Sequence, residues 1–116
     1  MKIYELHTKS GQKIKGPKLF KPTKFFDNRG FFMESWNQRL FDQLVNENII
    51  FVQDNHSQST KYVMRGLHYQ LSPMPQAKLV RCINGRIFDV AVDVRKNSET
   101  FGSWVGTFLD SIENYS

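Results

Sequence analysis

Lys78-Leu79-Val80-Arg81-Cys82-Ile83-Asn84-Gly85-Arg86-Ile87-Phe88-Asp89-Val90-Ala91-Val92-Asp93-Val94-Arg95 reads as two strands around a turn. Its apolar side chains are largely β-branched or aromatic, which suits a pleated surface. Polar residues return every fourth position at Asp89 and Asp93, on one face of the second strand. Asn84-Gly85 is a strong hairpin signal, because both residues tolerate the positive φ of a tight turn. The expected pairing is therefore residues 78–84 against residues 86–95.

Upstream, Tyr62 to Gln70 reads as a strand, with Gly66 marking a bulge or a close backbone approach. Ser72-Pro73-Met74-Pro75 is a loop, as is His56 to Thr60. Ile49 to Asn55 reads as a buried strand ending in polar groups. Before it, Asn37 is placed to cap a short helix over 38–46, with Leu40, Phe41, Leu44 and Val45 at helical spacing as a core stripe. Asp27-Asn28-Arg29-Gly30 is a turn signal, and the aromatic run after it reads as a strand. Residues 1–24 break into short extended pieces, with strands at Ile3–Leu6 and Leu19–Lys21 and with Pro17 and Pro22 suited to edge positions. Downstream, residues 97–100 turn the chain, Phe101 to Leu109 is a last strand, and residues 110–116 are polar. Many strands and one helix predict an all-β sandwich or barrel, folded as a single domain over residues 1–116.

The chain has 116 residues and carries a net charge of +5. That excess fits nucleic acid, an anionic membrane surface or a phosphorylated metabolite. Its Lys and Arg residues are scattered, which weighs against nucleic acid. No apolar run reaches the length of a membrane helix, and Met1 to Glu5 shows no apolar leader, so a soluble cytoplasmic protein is expected. Asn55-His56-Ser57 and Asn114-Tyr115-Ser116 match the glycosylation pattern but carry no weight without a secretion signal. The single cysteine, Cys82, forms no internal disulfide and reads as a small buried hydrophobe.

The chemistry concentrates in Arg65-Gly66-Leu67-His68-Tyr69-Gln70 and in Lys78. His68 suits proton transfer, because the ordinary imidazole titrates near neutrality. The competing reading is a histidine satisfied by hydrogen bonds inside the fold. Arg65 and Lys78 supply fixed positive charge for a developing oxyanion or a phosphate. Gln70, the same-face neighbour of His68, is a poor ligand, so no metal is expected. Asp89 and Asp93 border the site if their face points inward and are surface charges if it points outward. One of them is a candidate partner for His68. Arg29 suits a phosphate, and Gln53 and Asn55 suit a base edge or sugar hydroxyl, unless each simply meets solvent or closes a turn.

Taken in order, Asp27-Asn28-Arg29-Gly30-Phe31-Phe32-Met33-Glu34-Ser35, Phe51-Val52-Gln53-Asp54-Asn55-His56-Ser57, Arg65 to Gln70, Lys78-Leu79-Val80-Arg81, Gly85 to Arg95 and Ser98-Glu99-Thr100-Phe101-Gly102 closely resemble the dTDP-4-dehydrorhamnose 3,5-epimerase family. The likeness runs from about residue 17 to residue 109. It implies a cupin-type jelly roll (a double-stranded β-helix) without catalytic metal or redox cofactor, usually a homodimer exchanging strands on its N-terminal side. It implies epimerisation of dTDP-4-dehydro-6-deoxy-glucose at C3 and C5, in dTDP-rhamnose biosynthesis. His68 would then be the base, with Lys78 and Arg65 facing the enolate oxygen or the sugar. Arg29 and Arg65 would meet the diphosphate. Phe25, Glu34, Gln53, Asp54 and Asn55 would complete the substrate-binding set, some of them from a neighbouring subunit. Family members continue past position 116, where the resemblance puts the tyrosine acid, the aspartate that pairs with the histidine and the closing strands; Tyr115 is not that tyrosine. The expectation is thus a jelly roll lacking its C-terminal strands, with weak or absent double epimerisation and exposed sheet edges. Two alternatives accompany it: a dTDP-sugar-binding remnant without catalysis, and a related keto-sugar epimerase acting at C3 or C5 only.

Overall fold

The computed structural model describes residues 1–112. Tyr115, the polar tail beyond residue 112 and the Asn114-Tyr115-Ser116 pattern lie outside the described residues. The chain divides into two compact units, Met1–Asn37 with the residues from Leu79 onward, and Gln38–Lys78.

Among the described residues, the first unit holds three antiparallel two-stranded sheets. Strands β1 (Lys2–His7) and β2 (Lys13–Lys21) pair with Tyr4 opposite Leu19, and the register shifts between Glu5 and His7. Their turn is closed by Thr8 and Gly11: the Gly11 N–H donates to the Thr8 carbonyl at 2.9 Å, and the Gln12 N–H to the Thr8 hydroxyl at 3.1 Å. β2 is longer than the expected Leu19–Lys21. It absorbs Gly16 and Pro17 within the stretch of shifted register, where a regular ladder donor is not required.

Strands β3 (Lys24–Asp27) and β4 (Gly30–Met33) form the second sheet around a two-residue turn, Asn28-Arg29. Gly30 takes a φ of 136°, which other residues adopt only with strain. Phe25 faces Phe32 and Phe26 faces Phe31, with the latter rings 5.9 Å apart.

Strands β5 (Arg86–Val92) and β6 (Trp104–Asp110) form the third sheet, with Phe88 opposite Phe108 and Ala91 opposite Val105. One face packs inward: Val105 and Leu109 are buried, as are Ile14 and Phe20 of β2 and Cys82. The opposite face shows Phe88, Trp104 and Phe108 to solvent. This corrects the expected pairing of residues 78–84 with residues 86–95. Asn84-Gly85 does turn the chain, with Gly85 at a φ of 83°, but every residue of β5 finds its partner on β6. A local turn preference is worth less than a full ladder that also buries one apolar face. The last strand accordingly begins at Trp104 rather than Phe101, because residues 97–103 are spent in tight turns.

The second unit holds the helix α1 (Gln38–Val45), one residue shorter than expected because Asn46 turns left-handed at a φ of 56°. Phe41 is buried and meets Phe51 edge-on at 5.6 Å, while Leu40, Leu44 and Val45 are half-buried. The strands expected over 49–55, 62–70 and 78–84 are not formed; these residues belong to no ladder. Their β-favouring side chains have no second strand beside them. Val52, Tyr62 and Met64 are about nine-tenths exposed, at 92%, 91% and 90%. Apolar residues of the right type make a strand only where pairing and burial are both supplied.

Candidate active site

The β3–β4 hairpin of the first unit carries Phe25, Arg29 and Glu34. Phe25 lies on β3 and is exposed; Glu34 follows β4 directly and accepts a hydrogen bond from the Asn37 amide at 3.1 Å. Arg29 occupies the turn, and its guanidinium folds back on Asp27. Nη2 donates to Oδ2 at 2.7 Å and Nε to the same oxygen at 3.2 Å, while the Arg29 backbone N–H donates to Oδ1 at 2.8 Å. The side-chain bonds from Arg29 hold the Asp27 carboxyl below its ordinary value and raise the guanidinium further.

The second unit carries Gln53, Asp54, Asn55, Arg65, His68 and Lys78, all of them exposed. Arg65 is held locally: Nε donates to the Ser59 hydroxyl at 2.9 Å and Nη2 to the Gln58 carbonyl at 3.2 Å. Those two acceptors turn the 58–65 loop into a cradle for the guanidinium. His68 stands next to Gly66, where an added Cβ would meet its Nδ1 at 3.4 Å. Among the described residues, no hydrogen bond or ion pair joins Arg65, His68 and Lys78 to one another.

Of the two aspartates, Asp93 is buried and Asp89 is exposed. Asp93 serves its own unit. Arg95 donates Nε to Oδ1 and Nη2 to Oδ2, each at 2.9 Å, and Thr100 and Ser98 give their hydroxyls to Oδ2. These bonds, those of Arg95 foremost, hold the carboxyl far below the usual carboxylate range. Arg95 also donates to the Lys15 carbonyl at 2.9 Å. Asp89 accepts from the Val90 N–H at 3.0 Å. A groove of about 580 Å³ lies beside this knot, lined by Lys13, Lys15, Arg95, Lys96 and the 97–100 turn. It contains none of the expected site residues. Much of its positive charge is already met, Lys13 by Glu5 at 3.2 Å and Arg95 by Asp93.

The sequence profile of the dTDP-4-dehydrorhamnose 3,5-epimerases matches residues 11–116. The chain belongs to that family. It is 62% identical over 96 residues to the dTDP-4-dehydrorhamnose 3,5-epimerase of Shigella flexneri, covering 83% of this chain and 52% of that protein. Among solved structures, it superposes on the dTDP-6-deoxy-D-glucose-3,5-epimerase of Legionella pneumophila in complex with dTDP-4-keto-L-rhamnose. That likeness has a TM-score of 0.86 at 42% identity and covers 98% of this chain and 58% of the other. It also superposes on the dTDP-4-dehydrorhamnose 3,5-epimerase of Bacillus anthracis with TDP and PPi bound, with a TM-score of 0.83 at 37% identity over 98% and 63% of the two chains. The all-β architecture with one short helix is thus that of the epimerase family, a cupin-type jelly roll. The chain spans about half the length of the curated epimerases it matches.

Three features escaped sequence reading. The Asp27 contact with Arg29 was legible in principle, because Asp two residues before a turn residue favours a bond to its backbone N–H. The Ser59 cradle of Arg65 has no spacing signal. Ser98 and Thr100 look like turn residues, and nothing in their order announces a buried aspartate. Among the described residues, no group of three or more His, Cys, Asp and Glu side chains is placed to hold a metal ion, and no helix is long and apolar enough to cross a membrane.

Proposed function

We propose that this chain carries the proton-abstracting and nucleotide-binding part of a dTDP-4-dehydrorhamnose 3,5-epimerase, acting on dTDP-4-dehydro-6-deoxy-glucose at C3 and C5 on the way to dTDP-rhamnose. The observation that carries the reading is the family match over residues 11–116, a span that includes His68, Lys78, Arg65, Arg29 and Gln53-Asp54-Asn55. His68 takes the proton from the carbon next to the C4 ketone. The electrons of that C–H bond move into the C–C bond and onto the carbonyl oxygen, giving an enolate. Lys78, aided by Arg65, offsets the charge on that oxygen. A proton returned to the opposite face inverts the carbon. Arg29 and Arg65 bind the diphosphate by charge-assisted hydrogen bonds, and Phe25, Glu34, Gln53, Asp54 and Asn55 hold the nucleotide. The reaction is redox-neutral and needs no cofactor or metal. The chain works as one domain, in a cytoplasmic homodimer whose subunits share residues across their sites.

A second reading is a module that binds the dTDP-sugar without turning it over. It is favoured by the exposed, unladdered run from residue 52 to residue 78, which leaves Arg65, His68 and Lys78 without bonds to one another. The test is proton NMR of dTDP-4-dehydro-6-deoxy-glucose in D₂O with this chain and with His68→Asn. Deuterium entering C3 or C5 with the unaltered chain and not with the variant supports the epimerase. Binding without exchange supports the second reading. Exchange that survives in His68→Asn removes His68 as the base.

A further inference from the structure

Arg29 lies at the tip of the β3–β4 turn with its side chain 86% exposed. An arginine so exposed ordinarily samples many rotamers, and that freedom is lost when it grips an anion. Here it is already lost. The Asp27 carboxylate accepts from the Arg29 backbone N–H, from Nε and from Nη2 at once, at 2.8, 3.2 and 2.7 Å. Backbone and side chain are thus gripped by one carboxylate, itself fixed by the Asp27–Gly30 pair that ends both strands. A guanidinium has five N–H groups. Those on Nη1 and the second one on Nη2 point away from Asp27 and stay available.

We propose that Asp27 is a positioning residue for Arg29, holding its guanidinium at the turn with the Nη1 edge presented to a nucleoside diphosphate. The inference rests on the reading that Arg29 meets the diphosphate. Two effects oppose each other. The Asp27 charge cancels that of Arg29 and repels an incoming phosphate, while the grip removes the ordering cost of a long side chain. At a site this exposed, charge effects are strongly screened by solvent and salt. The ordering effect is not screened, so it decides the sign.

The experiment is calorimetric titration of dTDP into the full chain and into Asp27→Ala, Asp27→Asn, Arg29→Ala and the Asp27→Ala/Arg29→Ala double variant. Asp27→Asn keeps an oxygen for the Arg29 backbone N–H and so keeps the turn. Asp27→Ala is expected to weaken dTDP binding about two- to fivefold, the scale of an exposed ion pair, with Asp27→Asn in between. The double variant is expected to bind no worse than Arg29→Ala alone, because Asp27 acts only through Arg29. A purely structural role would instead add its loss to that of Arg29→Ala, by disturbing Phe25 and Glu34 on the same hairpin. Equal or tighter binding by Asp27→Ala, or additive losses, overturns the proposal. An unchanged affinity in Arg29→Ala overturns the placing of Arg29 at the diphosphate, and the proposal falls with it. Absence of dTDP binding by the unaltered chain overturns the nucleotide-site reading as a whole.

Discussion

Arg95 closes on Asp93 through both carboxylate oxygens, Nε to Oδ1 and Nη2 to Oδ2, each at 2.9 Å, although a single residue separates them. The aspartate is buried and the arginine half-exposed, at 0% and 53% of their side chains. A buried carboxylate is tolerable only when its lone pairs are filled, and Ser98 and Thr100 complete the filling. The knot sets the route of the chain between β5 and β6.

Acid should loosen this knot. The folded carboxyl of Asp93 is depressed, chiefly by its bonds from Arg95. A depressed carboxyl contributes stability that is complete above the ordinary aspartate pKa of about 3.9 and fades as pH falls below it. Thermal melts between pH 7 and pH 2 should show Tm falling below pH ~4. Asp93→Asn should melt lower at pH 7 and lose part of that acid dependence. A variant with the same pH slope as the unaltered chain would show that Asp93 is not the group responsible.

Gly106 should not accept a side chain. A Cβ there would lie 2.5 Å from Cζ of Phe88, whose ring is packed at 4.9 Å against Phe108. Gly106→Ala should therefore cost about 1–3 kcal/mol in urea unfolding, as overpacking does. The Phe88 ring is half-exposed and can swing outward, which favours the lower end. In a Phe88→Ala background the same substitution should cost little. An equal cost in both backgrounds would place the conflict elsewhere.

Phe41→Ala should remove the main buried contact of the second unit. Phe41 is 5% exposed and packs edge-on against Phe51. The expected loss is about 3 kcal/mol. Hydrogen exchange should report it as faster opening of amides in residues 38–46. Protection unchanged in that stretch would mean that α1 is held by something other than Phe41.

Tyr62 should be a site of easy stabilisation. It adopts a φ of 71° and is 91% exposed, so its side chain contributes little packing for the strain it carries. Tyr62→Gly should raise stability by about 1 kcal/mol, the cost of a left-handed non-glycine residue. A lower Tm would show that the stacking of Lys61 on the ring, 4.9 Å to its centroid, outweighs the backbone term.

The chain should self-associate. Phe25, Phe26, Phe31 and Phe32 are between 52% and 74% exposed, and Val52, Met64 and Leu67 are more than two-thirds exposed. Apolar surface of this extent is ordinarily covered by a partner. Sedimentation should show mass rising with protein concentration, and Phe26→Lys with Phe32→Lys should reduce it. A strictly monomeric chain at high concentration would contradict the expectation.

The parts of the fold that sequence reading found are those set by local chemistry. The Asn28-Arg29 turn, the Leu40 to Val45 stripe and the 97–100 turn announce themselves through residue type alone. The main differences concern pairing. Residues 86–95 point in sequence to the wrong neighbour, because Asn84-Gly85 is visible there while the match of Val105 and Leu109 to a buried face is not. The segments 49–55 and 62–70 have strand composition, but composition does not supply the second strand. The site shows the same division. Arg29, Arg65, His68 and Lys78 are legible as chemistry, whereas the groups that hold the two arginines, Asp27 and Ser59, are ordinary turn residues until the fold places them. In sequence Asp89 and Asp93 are equal candidates for a partner of His68, and the burial of Asp93 with Arg95, Ser98 and Thr100 is a consequence of three-dimensional closure.

The hydrogen bond from Arg95 to the Lys15 carbonyl joins positions 80 apart in the chain. The β1–β2 and β3–β4 hairpins close over short loops, and such loops form first because closure entropy grows with their length. The Arg95–Lys15 bond closes a far longer loop and is expected to form late, after those hairpins exist. An interaction made after the folding barrier leaves the refolding rate alone and sets how fast the native state comes apart. Its influence is on the lifetime of the folded chain rather than on how quickly it is reached.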